Sequence, residues 1–338
     1  MKHKRFDFSK ITPEDRAALT PLLRAAAGRG PNRSAAIAQI AQGLTLPLQQ
    51  GVLAGDIFNG IFEPVYFEPG TSVEFPYDLL APGTERSYVA YVIPRYGELP
   101  MRAVESDYCT VPLYEIGANL GCSAKYLRDA RWDVLGRILE ILEAMFTVKM
   151  NTDAWRVVIR SGVSRNLLVY DDAATAGLFT KRLVANMELY MRRNGGGNSA
   201  SRTRGKLTDL YISPEAQADT LSWQVNEIPD AVRASIFANG VLTRIGDTNL
   251  HALDELGVAQ EFETFWDDTL AQAHTNSKTE LVIGLDLSKN SSLVMPWREM
   301  PTLYEDMSVA NKRLVSIDGT AEIGFAALDN RVVLLGQY

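Results

Sequence analysis

One segment dictates the architecture more than any other. From Ser123 onward, apolar residues recur at spacings of three and four through Leu127, Ala130, Val134, Ile138, Ile141, Met145 and Val148. A second row, Leu135, Leu139, Leu142 and Phe146, widens the apolar face, while Arg128, Asp129, Arg137, Glu140 and Lys149 take polar positions. Ser123 is a fitting N-cap. The pattern holds at least to Met150. If continuous from Ala124 to Ser161, the helix spans ~57 Å at 1.5 Å per residue, longer than most globular helices; Asn151, Thr152 and Asp153 offer a point at which it divides in two.

Ahead of this helix the chain reads as β structure. Residues 72–79 alternate, with Val73, Phe75, Tyr77 and Leu79 on one face and Ser72, Glu74, Pro76 and Asp78 on the other. Turn residues at 81–85 and a β-rich run at 87–93 complete a hairpin. Pro76 cannot donate to a ladder, which places this hairpin at an edge or in a projecting two-stranded arm that rests on another surface. A further strand covers 109–116 and ends at Gly117.

The first sixty residues read as an arm with helical pieces. Thr12 and Pro13 start one helix, Gly28 to Pro31 stop it, and a short second helix covers 34–42. Neither buries enough apolar surface to stand alone, so the arm lies on its own body or on a neighbour. After Gly162, helices and strands alternate: a helix at 180–191, a strand at 207–212, and a helix capped by Ser213-Pro214-Glu215 running to about Trp223. Residues 321–328 and 331–335, around Asp329-Asn330, read as a closing hairpin. The organisation is α+β. At 338 residues with 46% apolar content, the chain can bury the core of one large or two medium domains.

Charge is spread unevenly. Residues 1–33 hold eight Lys/Arg against three acids, whereas 209–306 hold seventeen Asp/Glu and five Lys/Arg, within a net charge of −7. Such asymmetry suits a protein whose parts face different partners. The loop at 192–206 is basic and glycine-rich: a plain flexible loop, or one whose Arg192, Arg193, Arg202, Arg204 and Lys206 meet nucleic-acid phosphates or a neighbour's acidic surface. No stretch approaches the ~20 apolar residues of a membrane span. The basic N-terminus lacks the apolar core of a secretory signal, so a cytoplasmic site of synthesis and retention is expected. Cys109 and Cys122 form no metal or redox motif and read as buried small apolar residues.

Catalytic chemistry finds little footing. His3, His251 and His274 form no i,i+4 pair, no GxSxG elbow occurs, and Ser164 lacks a base nearby in sequence. The glycines at 195–197 satisfy no phosphate-loop pattern. Asp171-Asp172 and Asp267-Asp268 are paired by sequence only, as solvated acids commonly are. No catalytic residue, cofactor or metal ligand is assigned.

The order of elements, with residues 111–117 leading into the long helix, 207–216 and 323–331, resembles the major capsid proteins of tailed double-stranded DNA bacteriophages, the Hong Kong 97 fold. The resemblance implies an N-terminal arm (1–60), an extended loop hairpin with peripheral-domain strands (61–118), a spine helix of the peripheral domain (119–161), an axial domain (162–290) and C-terminal strands returning through both domains (291–338). It implies hexamers and pentamers of this chain closing an icosahedral shell around packaged double-stranded DNA, with a portal protein and decoration or cement proteins as further partners, a virion location, and no membrane. The arm is too short for an internal scaffolding domain, so a separate scaffold protein is expected. Ala81, Pro82, Gly83, Thr84 and Glu85, at the loop tip, are the expected intersubunit contact. Lys2, Lys4 and Arg5, with the five basic loop residues, are the expected interior contact with DNA or a neighbour. An encapsulin-like compartment shares the fold and encloses protein cargo; a C-terminal targeting-peptide groove would favour it. An α+β hydrolase would need an acid beside Ser164 or His251. A DNA-binding adaptor using the basic arm sits poorly with the overall acidity.

Overall fold

The computed structural model describes residues 13–28, 32–53, 60–78, 106–129, 132–175, 177–194, 205–223, 242–274, 278–288, 292–306 and 314–338. The described helices are α1 (Pro13–Ala27), α2 (Arg33–Leu53), α3 (Ala124–Arg128), α4 (Trp132–Ser164), α5 (Lys181–Asn194), α6 (Pro214–Ser222) and α7 (Glu261–Thr264). The described strands are β1 (Glu63–Tyr66), β2 (Glu74–Asp78), β3 (Ser106–Thr110), β4 (Tyr114–Ser123), β5 (Leu168–Tyr170), β6 (Asp209–Ile212), β7 (Arg244–Ile245), β8 (Thr248–Ala252), β9 (Leu281–Leu285), β10 (Leu293–Asp306), β11 (Leu314–Ile323), β12 (Ala326–Ala327) and β13 (Val333–Gln337). They form two units. The first draws on residues 1–73, 110–153 and 294–326, the second on 74–109, 154–293 and 327–338.

The first unit is built on a sheet ordered β1-β10-β11-β4, with β12 also on β10. β4 and β11 pair antiparallel without a break from Tyr114↔Ile323 to Ser123↔Leu314, so the strand expected to end at Gly117 continues to Ser123. Leu142, Phe146 and Met150, three residues four apart on α4, are buried. Phe146 reaches β11 at Gly319, where a Cβ would fall 2.9 Å from its ring. Leu139, Leu142 and Phe146 of the second row therefore face the core, as does Ile138 of the first, whereas Val148 of the first row is 65% exposed.

α2 also lies on this sheet. Ser34 Oγ donates to Glu305 Oε1 at 2.7 Å, Gln49 Nε2 to Pro301 O at 3.0 Å, and Leu303 N to Thr45 Oγ1 at 3.3 Å. Within the arm, α2 thus rests on the chain's own sheet. α2 runs well beyond the expected end at 42, through Pro47. That proline costs the helix the hydrogen bond to the carbonyl of Gly43, which burial of Leu44, Leu48 and Val52 offsets.

Ser123 is a cap, but of the five-residue α3: its Oγ accepts from Lys125 N. The long helix starts afresh at Trp132 and runs 33 residues to Ser164 without breaking at 151–153. Asp153 is tied in by Tyr114 Oη at 2.7 Å and Lys149 Nζ at 2.8 Å.

The second unit contains a sheet ordered β5-β13-β9-β6-β8-β7. β9 and β13 are buried at every residue, as central strands covered on both faces must be. One face meets α5, through Leu183, Val184, Met187 and Met191 packed with Leu210, Val282 and Leu334. Gly284 makes room for this layer: a Cβ there would lie 2.7 Å from Leu207 Cδ1 and 3.0 Å from Met187 Cε. The other face meets the C-terminal part of α4, where Trp155 stands edge-on to Tyr211 at 4.7 Å.

The expected C-terminal hairpin does not form. β11 pairs with β10 and β4, while β13 inserts between β5 and β9. The Asp329 carboxylate accepts from the Arg331 backbone and guanidinium, holding a 3₁₀ turn in place of a hairpin turn. β2 and β3 form a separate two-stranded ladder. Pro76 sits in it, and the segment expected to pair at 87–93 lies outside the described residues. Cys109 is exposed and Cys122 half-buried, contrary to the buried reading. Among the described residues no helix is long and apolar enough to cross a membrane.

Candidate functional site

Of the residues expected to meet other subunits or nucleic acid, Ala81, Pro82, Gly83, Thr84, Glu85, Lys2, Lys4, Arg5, Arg202 and Arg204 lie outside the described residues. Arg192 and Arg193 are exposed in the last turn of α5, where cations complement the helix dipole. Lys206 Nζ lies 3.4 Å from Asp247 Oδ2, both side chains largely exposed. Its backbone is more firmly held: Gly205 N and Lys206 N donate to the buried Asp286 Oδ2 at 2.7 and 3.1 Å. This carboxylate, just past the end of the central strand β9, anchors the C-terminal end of the basic loop to the sheet.

In the first unit, an open groove of about 570 Å³ runs along the contact of α2 with β10, lined by Ala41, Thr45, Leu46, Leu303 and Tyr304 among others. Leu46 and Tyr304 are exposed at its rim. Near the root of the β2–β3 ladder, Val111 N donates to Val73 O at 3.0 Å, and Arg298 bridges Glu322 and the Thr71 carbonyl.

The sites a hydrolase would need are poorly equipped. Ser164 Oγ donates to Ser161 O at 2.6 Å and accepts from Asn330 Nδ2 at 3.2 Å, a helix-end arrangement. His251 does have an acid beside it: its Nε2 is 2.8 Å from Asp209 Oδ1, and its ring stacks on Tyr211 at 4.9 Å. Burial pushes the Asp209 carboxyl up, but hydrogen bonds from His251, Thr208 and Asn249 outweigh it and hold the group below its ordinary value. Among the described residues no serine or cysteine is hydrogen-bonded to His251. Asp171 Oδ1 accepts from Ala173 N, and its Oδ2 from Thr180 Oγ1, bracing the start of α5. Asp267 is not merely a solvated acid, since its Oδ1 lies 3.2 Å from His274 Nε2. No regular sequence spacing joins those two residues.

No protein-family model matches the sequence, and no curated protein aligns with it. Solved structures do match. The capsid of cyanophage P-SCSP1u is similar at TM-score 0.55 with 11% identity, over 83% of this chain and 87% of that one. The cyanophage Pam1 capsid matches at 0.54 with 13% identity, over 82% and 88%. The capsid of an empty GTA particle matches at 0.54 with 14% identity, over 83% and 95%.

Proposed function

We propose, from a fold shared with phage capsid proteins of the Hong Kong 97 type, that this chain is a structural shell subunit. It assembles into hexamers and pentamers that close an icosahedral container around packaged double-stranded DNA. The observation that carries the reading is the extent of the likeness: phage capsid structures match this chain over most of both lengths, despite low identity. Closed symmetry asks each subunit for several moderate contacts repeated through a lattice, not for one deep pocket. A two-stranded ladder, a long helix and a docked arm supply such elements.

In this reading residues 61–118 form the extended loop and adjoining peripheral strands, with Ala81 to Glu85 at the loop tip on an adjacent subunit. The spine helix belongs to the peripheral domain, residues 162–290 form the axial domain, and residues 291–338 return through both. The basic residues at 2, 4, 5, 192, 193, 202, 204 and 206 neutralise phosphates of packaged DNA or meet a neighbouring subunit. A portal, a separate scaffold and decoration proteins complete the particle, which forms in the host cytoplasm.

Negative-stain electron microscopy and size-exclusion light scattering test this on the chain expressed alone and with its neighbouring genes. Shells, hexamers or pentamers are the expected result. A stable monomer under every condition would overturn the proposal.

A further inference from the structure

Glu263 ends the short helix α7 but for one residue, and a single π-helical turn, Phe265–Thr269, follows. π turns inside helices recur at functional sites because the extra residue re-aims the side chains around it. Here the turn carries Asp267, and the chain leaving it carries His274. The three side chains converge: Glu263 Oε1 lies 2.8 Å and Asp267 Oδ1 3.2 Å from His274 Nε2, with all three ligand atoms within 4.8 Å of one another.

Glu263 is 3% exposed. Its Oε2 accepts from Leu281 N on β9 at 3.2 Å, whereas Oε1 is buried and makes no hydrogen bond among the described residues despite its approach to the imidazole. Asp267 is half-exposed and leaves one side open to solvent.

We propose that Glu263, Asp267 and His274 bind one divalent transition-metal ion of the zinc class per chain. One imidazole nitrogen and two carboxylate oxygens suit zinc, cobalt or manganese, whereas calcium asks for six to eight oxygens. The 3.2 Å separation of Asp267 Oδ1 from Nε2 sits near the ~3.3 Å ligand–ligand edge of a tetrahedron with bonds of ~2.0–2.1 Å, and the 2.8 Å separation of Glu263 Oε1 from Nε2 would have to open to reach it. Water takes the open position. With Nε2 as the ligand atom the ring carries its proton on Nδ1, which lies 3.0 Å from the Gln337 side-chain amide. Through Glu263 to β9 and through Gln337 on β13, the ion staples residues 261–274 to the central strands. Its role is structural.

The test uses the full chain, stripped with a chelator and titrated with cobalt(II) as a spectroscopic probe, then with zinc in competition. The expected result is one equivalent bound, with visible ligand-field absorption that zinc abolishes. Asp267→Asn, at a half-exposed position, and His274→Gln weaken binding by ~10-fold or more while far-ultraviolet circular dichroism stays unchanged. Absence of saturable binding, or binding that survives Asp267→Asn undiminished, would overturn the proposal.

Discussion

Gly162 on α4 stands so close to Leu335 on β13 that a Cβ at position 162 would fall 2.5 Å from Leu335 Cγ and 2.7 Å from Cδ1. Both partners belong to packed elements, so neither side has a free route of retreat. Gly162→Ala gains up to ~1 kcal/mol of helix propensity but forces the leucine off its rotamer, an overpacking cost of about 1–3 kcal/mol. A lowered urea midpoint is expected; a raised one would show that the sheet can shift away.

Ser213 serves two structures at once. Its Oγ accepts from Ala216 N at 3.0 Å, capping α6, and with its own proton reaches Tyr338 Oη at 2.6 Å. Tyr338 in turn donates to Glu280, all three residues being buried. Ser213→Ala therefore removes a helix cap and a buried hydrogen bond, a loss of about 2–3 kcal/mol. Ser213→Thr, which keeps the hydroxyl, is expected to recover part of it in the same denaturation experiment.

Asp209 gives stability a dependence on acid. Its carboxyl is held below the ordinary value of 3.8 in the folded chain, so its contribution is fully present above that pH and is lost as pH falls through the lowered folded value. Asp209→Asn is expected to flatten the acid limb of a stability profile taken below about pH 4, where the native protein's curve still falls. Parallel limbs for the two proteins would show that other carboxylates govern acid unfolding.

The proposed loop tip offers a test of assembly apart from folding. Replacing Ala81, Pro82, Gly83, Thr84 and Glu85 by a glycine-serine segment is expected to leave the circular dichroism spectrum unchanged while particles fail to form in electron micrographs. Normal particles from that variant would remove the tip from the intersubunit contacts.

Much of the architecture was legible because it follows local periodicity. The inward-facing Leu139, Leu142 and Phe146 on α4, the alternation at Val73 and Phe75, and the Ser213-Pro214 helix start all appear where the pattern places them. Local reading failed where distant partners decide. Which row of α4 turns inward depends on Gly319 of β11 receiving Phe146, 173 residues away (319 − 146). The carriage of α2 through Pro47 depends on the sheet beneath it.

The same division holds for sites. Glu263, Asp267 and His274 follow no metal-ligand spacing, because a π turn and an irregular segment bring them together. The amino-acid sequence by itself determined the long helix, the edge character of the proline-bearing strand, the α+β class and the order of elements that resembles a capsid subunit, since these rest on short-range patterns of side-chain polarity and backbone geometry. Only the tertiary structure decided that β13 leaves β11 for the centre of another sheet, and that a histidine meets two carboxylates, since strand partners and converging side chains are chosen by burial among residues far apart in the chain.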